Sequence, residues 1–208
     1  MKTDFKKSLD CYRPGKPGAF RVLEVPELTY LAIDGYGDPN CAPEYASALE
    51  ALYPLAYKLK FMSRAQLDRD YVVMPLEGLW TADDMTTFTT ARDKSAWAWT
   101  LLMMVPDWIT QSMLDEARDV IMSTASSAAV GRAAELLRLQ TLQEQTCVQT
   151  LHVGSYDDEA AILQQLHDEV IPGLGYRMRG LHHEIYLSDA RRVEPARLRT
   201  LLRQPVTR

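Results

Sequence analysis

Apolar residues fall in short runs along the chain, and the step between them changes from two to three or four at a few places. Residues 1 to about 20 are polar and carry Pro14-Gly15-Lys16-Pro17-Gly18, which predicts a leader lying on the surface. Strand-like spacing begins at Arg21 with Val22, Leu23 and Val25 and continues through Tyr30-Leu31-Ala32-Ile33. It ends at Asp34-Gly35-Tyr36-Gly37-Asp38-Pro39, where two glycines and an Asp-Pro pair demand turn geometry. Tyr45, Leu49, Leu52, Leu55 and Leu59 then recur at helical steps behind Pro43, with Pro54 expected to kink or split the helix. Residues 71–80 and 96–105 read as strands. Across 107–145 the period is helical and broken near Ser123 to Ser127, predicting two helices. A strand over 147–154, a turn at Ser155-Tyr156-Asp157-Asp158, a helix ended by Pro172-Gly173, a strand over 181–189 and a final segment from Leu198 complete the order.

The two halves repeat that order: strand, glycine turn with Tyr and Asp, helix, strand containing a Glu, and a last strand. The expected fold is therefore α+β, a single domain over 1–208 built from two strand-helix-strand-strand modules. They span about 21–106 and about 146–206, joined by a helical connector over about 107–145. Two such units would bury their helices on one side and leave a concave sheet with a ligand cleft between them.

Composition changes this picture little. The 208 residues hold 47% hydrophobic and 25% charged residues, ordinary for a globular chain. A net charge of −5 repels phosphate backbones, so nucleic acid is not an expected direct partner. No apolar stretch approaches the roughly 20 residues that cross a bilayer, and no membrane association is expected. The N-terminus carries no apolar signal core, and the odd, scattered Cys11, Cys41 and Cys147 suit reduced thiols, so the expected setting is cytoplasmic. Nothing in the sequence fixes an oligomeric state.

Candidate chemistry concentrates in the strand over 181–189. Alternation puts Leu181, His183, Ile185 and Leu187 on one face and the polar His182, Glu184, Tyr186 and Ser188 on the other. That polar face meets either a cleft or plain solvent. Glu77, beside Gly78 in an otherwise apolar strand, would be costly to bury unpaired. It either meets a ligand or points to water at a strand end. Tyr36, Trp80, Trp99, Tyr156 and Tyr186 could wall a site for flat aromatic molecules, or serve only as core. His182 and His183 are adjacent and point apart on a strand, so they cannot chelate one ion, and no metal or other cofactor is expected. No GxSxG elbow or phosphate-cradling glycine loop is present.

Several stretches together resemble the GyrI-like (gyrase-inhibitor-like) small-molecule-binding family, in particular its stand-alone bacterial members. They are Leu31-Ala32-Ile33-Asp34-Gly35-Tyr36-Gly37-Asp38-Pro39-Asn40, Glu50-Ala51-Leu52-Tyr53-Pro54-Leu55-Ala56-Tyr57 and Pro75-Leu76-Glu77-Gly78-Leu79-Trp80 in the first half. Trp97-Ala98-Trp99-Thr100-Leu101, Leu151-His152-Val153-Gly154-Ser155-Tyr156-Asp157-Asp158-Glu159 and His182-His183-Glu184-Ile185-Tyr186-Leu187-Ser188-Asp189 follow. The resemblance implies a duplicated strand-helix-strand-strand (SHS2-type) fold with a central cleft for an aromatic small molecule. Relatives include effector domains of drug-responsive regulators, in which a cleft glutamate meets cationic aromatic drugs. The leader is too short for a helix-turn-helix, so a regulator is not expected. Some stand-alone members resemble cyclopropanoid cyclopropyl hydrolases, which open the strained ring of DNA-alkylating natural products. On that basis Glu184 is the expected base, with Tyr186 or Tyr156 as hydrogen-bond donor, and Glu77, Trp80, Trp99, Tyr36 and His182 shape the cleft. The alternatives are a binder that sequesters aromatic or cationic drugs, and a gyrase-protecting interaction protein.

Overall fold

The computed structural model describes residues 2–84 and 93–208. The leader forms β1 (Lys2–Thr3), the single turn α1 (Phe5–Ser8) and a 3-10 turn at Asp10–Tyr12. Strands β2 (Arg21–Val25) and β3 (Leu28–Tyr36) precede the long helix α2 (Pro43–Leu67). Next come β4 (Asp70–Tyr71), β5 (Glu77–Thr81) and β6 (Ala98–Val105). Helices α3 (Gln111–Ser123) and α4 (Ala128–Leu136) lead into β7 (Arg138–Leu142) and β8 (Gln145–Val153). A helical run from Tyr156 to Gly173 contains α5 (Ala160–Gln164), a π segment (Gln165–Val170) and α6 (Ile171–Gly173). Strands β9 (Arg177–Met178), β10 (His182–Tyr186) and β11 (Arg199–Thr207) close the chain.

The fold is mixed α+β around one large antiparallel sheet, ordered β2-β8-β11-β10-β5-β6-β3-β7, with β9 added to β11. Its central pair is β5 with β10, where Glu184 stands opposite Gly78 and His182 opposite Trp80. Outward from that pair the order reads β10-β11-β8 on one side and β5-β6-β3 on the other. The outermost strands cross over: β2, at the start of the expected first module, pairs with β8 of the second, and β7, in the expected connector, pairs with β3 of the first.

Local chemistry accounts for the element ends. Thr110 and Ser127 cap α3 and α4 by accepting from Met113 and Val130 N–H groups, which separates the two connector helices at 124–127. Of the kink or split expected at Pro54, the split does not occur: α2 is one helix that packs a long stripe (Ala48, Ala51, Leu52, Leu55, Leu59, Met62) into the core. The strand expected over 71–80 is two pieces: Asp70–Tyr71 joins the leader's β1, and only Glu77–Thr81 enters the large sheet. Pro75, with no N–H to offer a ladder, lies between them.

Most of the leader, including Pro14 to Gly18, is exposed as expected, but two of its residues are not. Cys11 and Tyr12 are 1% exposed and cover one face of the sheet. The helices cover the other: Tyr45 of α2 meets Trp99 edge-on at 5.0 Å, and His167 of the π segment meets His182 at 5.8 Å. No described helix is long and apolar enough to cross a membrane.

Candidate active site between sheet and helices

Register decides which side chains meet. Glu184 opposite Gly78, Trp80 opposite Trp99 and Tyr186 opposite Thr200 place Gly78, Trp80, Trp99, His182, Glu184, Tyr186 and Thr200 on the helix-covered face. The Tyr186 hydroxyl donates to Glu184 Oε2 at 2.7 Å, and the Trp80 indole N–H donates to the Tyr186 oxygen at 3.0 Å. Gly78 makes this chain of bonds possible. A Cβ there would stand 2.8 Å from Trp80 Nε1 and 3.3 Å from the Tyr186 oxygen, so the indole could not fold back over its own strand.

Aromatic rings enclose the carboxylate. Tyr156 meets Tyr186 edge-on at 5.5 Å, Trp97 meets Trp80 at 5.7 Å, and Tyr45 packs on Trp99. Trp99 lies flat over Gly35, where an added Cβ would clash with its ring at 2.0 Å. Tyr156 is 41% exposed and forms the outer wall. His182 Nε2 lies 3.7 Å from Glu184 Oε1, and neither ring nitrogen makes a hydrogen bond among the described residues.

A second carboxyl shares the space. Glu159, on the turn before α5, is buried, and its Oε1 has no hydrogen-bond partner among the described residues. Burial, then the charge of Glu184, pushes the Glu159 carboxyl up to about 9, with Thr200 pulling the other way. Burial pushes Glu184 up to about 7, opposed by the Tyr186 hydrogen bond and the charge of His183. Burial, reinforced by Glu184, holds Tyr186 protonated far above the ordinary phenol range. Burial lowers His182 to about 3, helped by His167 and His183, so it is a neutral imidazole.

Glu77 does not belong to this constellation. It pairs with Ile185 and Leu102 and faces the leader side, fully buried. There Tyr12 donates to Glu77 Oε1 at 2.7 Å, and His183 Nε2 lies 3.0 Å from Glu77 Oε2. His183 Nδ1 reaches Glu144 at 2.9 Å, Arg203 reaches Glu144 at 2.7 Å, and Arg203 also donates to Gln149 and the Cys11 carbonyl. Burial is thus compensated by pairing, and the expectation that Glu77 and Glu184 border one cleft is corrected. Tyr36 is also misplaced: it lies opposite Ala98, on the leader-side parity, and is 62% exposed at the turn made by Gly37. Of the other expected residues, Glu184, Tyr186, Tyr156, Trp80, Trp99 and His182 gather on one face.

Residues that sequence reasoning passed over are Glu159, Tyr45 and His167. Glu159 ends an Asp-Asp-Glu run that reads as a solvated helix start, and Tyr45 reads as one more apolar helix position. Recesses of about 150 and 260 Å³, both lined by Leu79 and Leu181, do not include Glu184, whose surroundings are filled by Tyr and Trp side chains. No cluster of three or more His, Cys, Asp or Glu side chains suited to a metal ion occurs among the described residues. The site therefore offers a tunable carboxylate, a neutral acid and phenolic donors within an aromatic enclosure.

Residues 19–207 match the GyrI-like small molecule binding domain, so the chain belongs to that family. An uncharacterized conserved protein from Listeria innocua is similar at 33% identity, covering 99% of this chain and all of its own, with a TM-score of 0.87. A hydrolase from Listeria innocua is similar at 33% identity over the full length of both chains, with a TM-score of 0.85. The EcmrR C-terminal domain shares the fold at 14% identity, covering 91% of this chain and 98% of its own, with a TM-score of 0.53. No protein of curated function matches significantly.

Proposed function

We propose that this member of the GyrI-like family binds flat aromatic small molecules against Glu184 and hydrolytically opens a strained cyclopropane fused to a dienone, a detoxifying reaction. The observation that carries the reading is Glu184 itself, a half-buried carboxylate among aromatic rings that accepts a hydrogen bond from the Tyr186 phenol. Resemblance to a Listeria hydrolase at 33% identity over the whole chain supports the enzymatic part. The strand order, the same outward from the β5–β10 pair on either side, supports two copies of a strand-helix-strand-strand module. The ligand would enter by displacing Tyr156 from the outer wall.

The chemistry asks for a base and a polar enclosure. Glu184 accepts a proton from water, whose oxygen bonds to the cyclopropane methylene as the ring C–C bond breaks. The electron pair moves through the dienone to its carbonyl oxygen, which becomes a phenol after protonation. Tyr156 or Tyr186 hydrogen-bonds that oxygen as charge develops. With a carboxyl near 7, Glu184 is a stronger base than an ordinary glutamate and is still substantially ionised at neutral pH.

The test is to incubate the protein with a duocarmycin-type cyclopropane and look by mass spectrometry for the water adduct. Adduct formation above the protein-free rate supports hydrolysis. A tight complex without adduct favours the second reading, sequestration of aromatic or cationic drugs, for which the half-buried Glu184, with no Lys or Arg ion pair among the described residues, would supply the attraction.

A further inference from the structure

We propose that Glu159 is a second catalytic carboxyl, the acid that protonates the ligand's carbonyl oxygen while Glu184 takes the proton of water. The proposal rests on the hydrolytic reading of the Glu184 site and completes its proton balance. Asp157, Asp158 and Glu159 follow one another on one turn, yet only Glu159 turns inward. Asp157 points out to pair with Lys94 at 3.0 Å, and Asp158 accepts from the Ser155 hydroxyl at 2.6 Å. Glu159 is 3% exposed, and its Oε1 meets no hydrogen-bonding group among the described residues. A buried carboxyl that senses a neighbouring carboxylate, has one oxygen without a donor and only the Thr200 hydroxyl favouring ionisation is far cheaper neutral than charged. A neutral carboxyl has one proton to donate, and a ligand carbonyl is an acceptor of the right kind.

The groups around it favour that state. Glu184 and Tyr186 face it from β10, Thr200 from β11 and His152 from β8, with Tyr156 and Asp157 on its own turn. Lys94 is engaged with Asp157. Burial raises both carboxyls, and the charge of an ionised Glu184 raises Glu159 further, so Glu159 keeps its proton while Glu184 serves as the base. In the step, water's oxygen joins the methylene carbon, the ring C–C bond breaks, and its electron pair reaches the dienone oxygen, which takes the Glu159 proton. Glu184 ends protonated and Glu159 ionised. Transfer of one proton from Glu184 to Glu159 restores both, and the net change is addition of one water.

Glu159→Gln keeps the shape and a donor but cannot release a proton. Turnover of the neutral cyclopropane is expected to fall by about 10² or more, and the alkaline limb of the wild-type profile, near pH 9, to disappear. Retention of that limb, or a rate within about twofold of wild type, overturns the assignment while leaving the hydrolytic reading intact. Absence of any water adduct from the wild-type protein defeats the hydrolytic reading and this role together. A measurement on the wild type alone guards against misfolding of the variant. Its infrared spectrum should hold a protonated-carboxyl carbonyl band at pH 7.5 that is lost through pH 9, and absence of that band overturns the proposal.

Discussion

The Tyr186 hydroxyl donates to Glu184 Oε2 at 2.7 Å, from two positions further along the same strand. The pleat brings both side chains to one face, and the Trp80 N–H fixes the phenol oxygen from the far side.

Tyr186→Phe removes a hydrogen bond that favours the ionised form of Glu184, so the Glu184 carboxyl should move further up from about 7. Activity that needs ionised Glu184 appears as pH rises through that value. The acidic limb of the pH–rate profile should therefore shift to higher pH, with a loss of about tenfold at pH 7. An unshifted limb would show that Tyr186 does not act on Glu184.

On the leader side, Tyr12→Phe leaves Glu77 Oε1 buried without its donor. The cost should be about 1–3 kcal/mol in urea unfolding, because the desolvation of that oxygen is no longer compensated. Arg203→Ala leaves the buried Glu144 Oε2 without its partner, with only His183 on Oε1, and should cost about 3–5 kcal/mol. A loss below about 0.5 kcal/mol for Arg203→Ala would contradict the buried network as an anchor of the leader.

Stability should peak in weakly acidic solution. Glu144 is opposed by burial but held at about 2 by His183 and Arg203, so its contribution is present above about 4.5 and lost as pH falls through 2. His183, although burial opposes its charge, is carried up to about 9 by Glu144 and Glu77. Its contribution is complete below about 6.5 and lost as pH rises through 9. Raised Glu159 and Glu184 act in the same sense, complete below about 4.5 and lost as each ionises. The thermal midpoint should thus be highest near pH 4.5, where Glu144 is fully ionised and Glu159 and Glu184 are still protonated, and fall on both sides, the alkaline fall being smaller in Glu159→Gln. A midpoint that rises between pH 7 and 9 would contradict this.

Flat aromatic dyes such as rhodamine should bind with dissociation constants in the micromolar range, roughly −8 kcal/mol. Binding should quench tryptophan emission, since Trp80 and Trp99 wall the site. No quenching at high micromolar dye would count against an aromatic enclosure that opens to ligand.

Much of this was legible from spacing because strand parity is local. The alternation over 181–189 alone places His182, Glu184 and Tyr186 together. It could not say which face of a second strand joins them. That depends on the Gly78–Glu184 register, and it sends Glu77 to the leader side. Tyr36 read as a cleft aromatic because turn composition says nothing of direction. Leader burial was hidden because Cys11 and Tyr12 are isolated among polar residues, and their partners, Glu77 and Arg203, lie far along the chain. Glu159 looked solvated because an acid run at a helix start usually is; its inward turn exists only once β10 and β11 are beneath it.

The most direct measurement is turnover of a neutral duocarmycin-type cyclopropane by Glu184→Gln and wild type, with binding of a cationic dye read on the same preparations. The account predicts that the variant folds and still binds the neutral compound. Formation of the water adduct should slow by about 10²–10⁴, the loss expected for a missing general base. Adduct formation by Glu184→Gln at the wild-type rate would contradict the central claim.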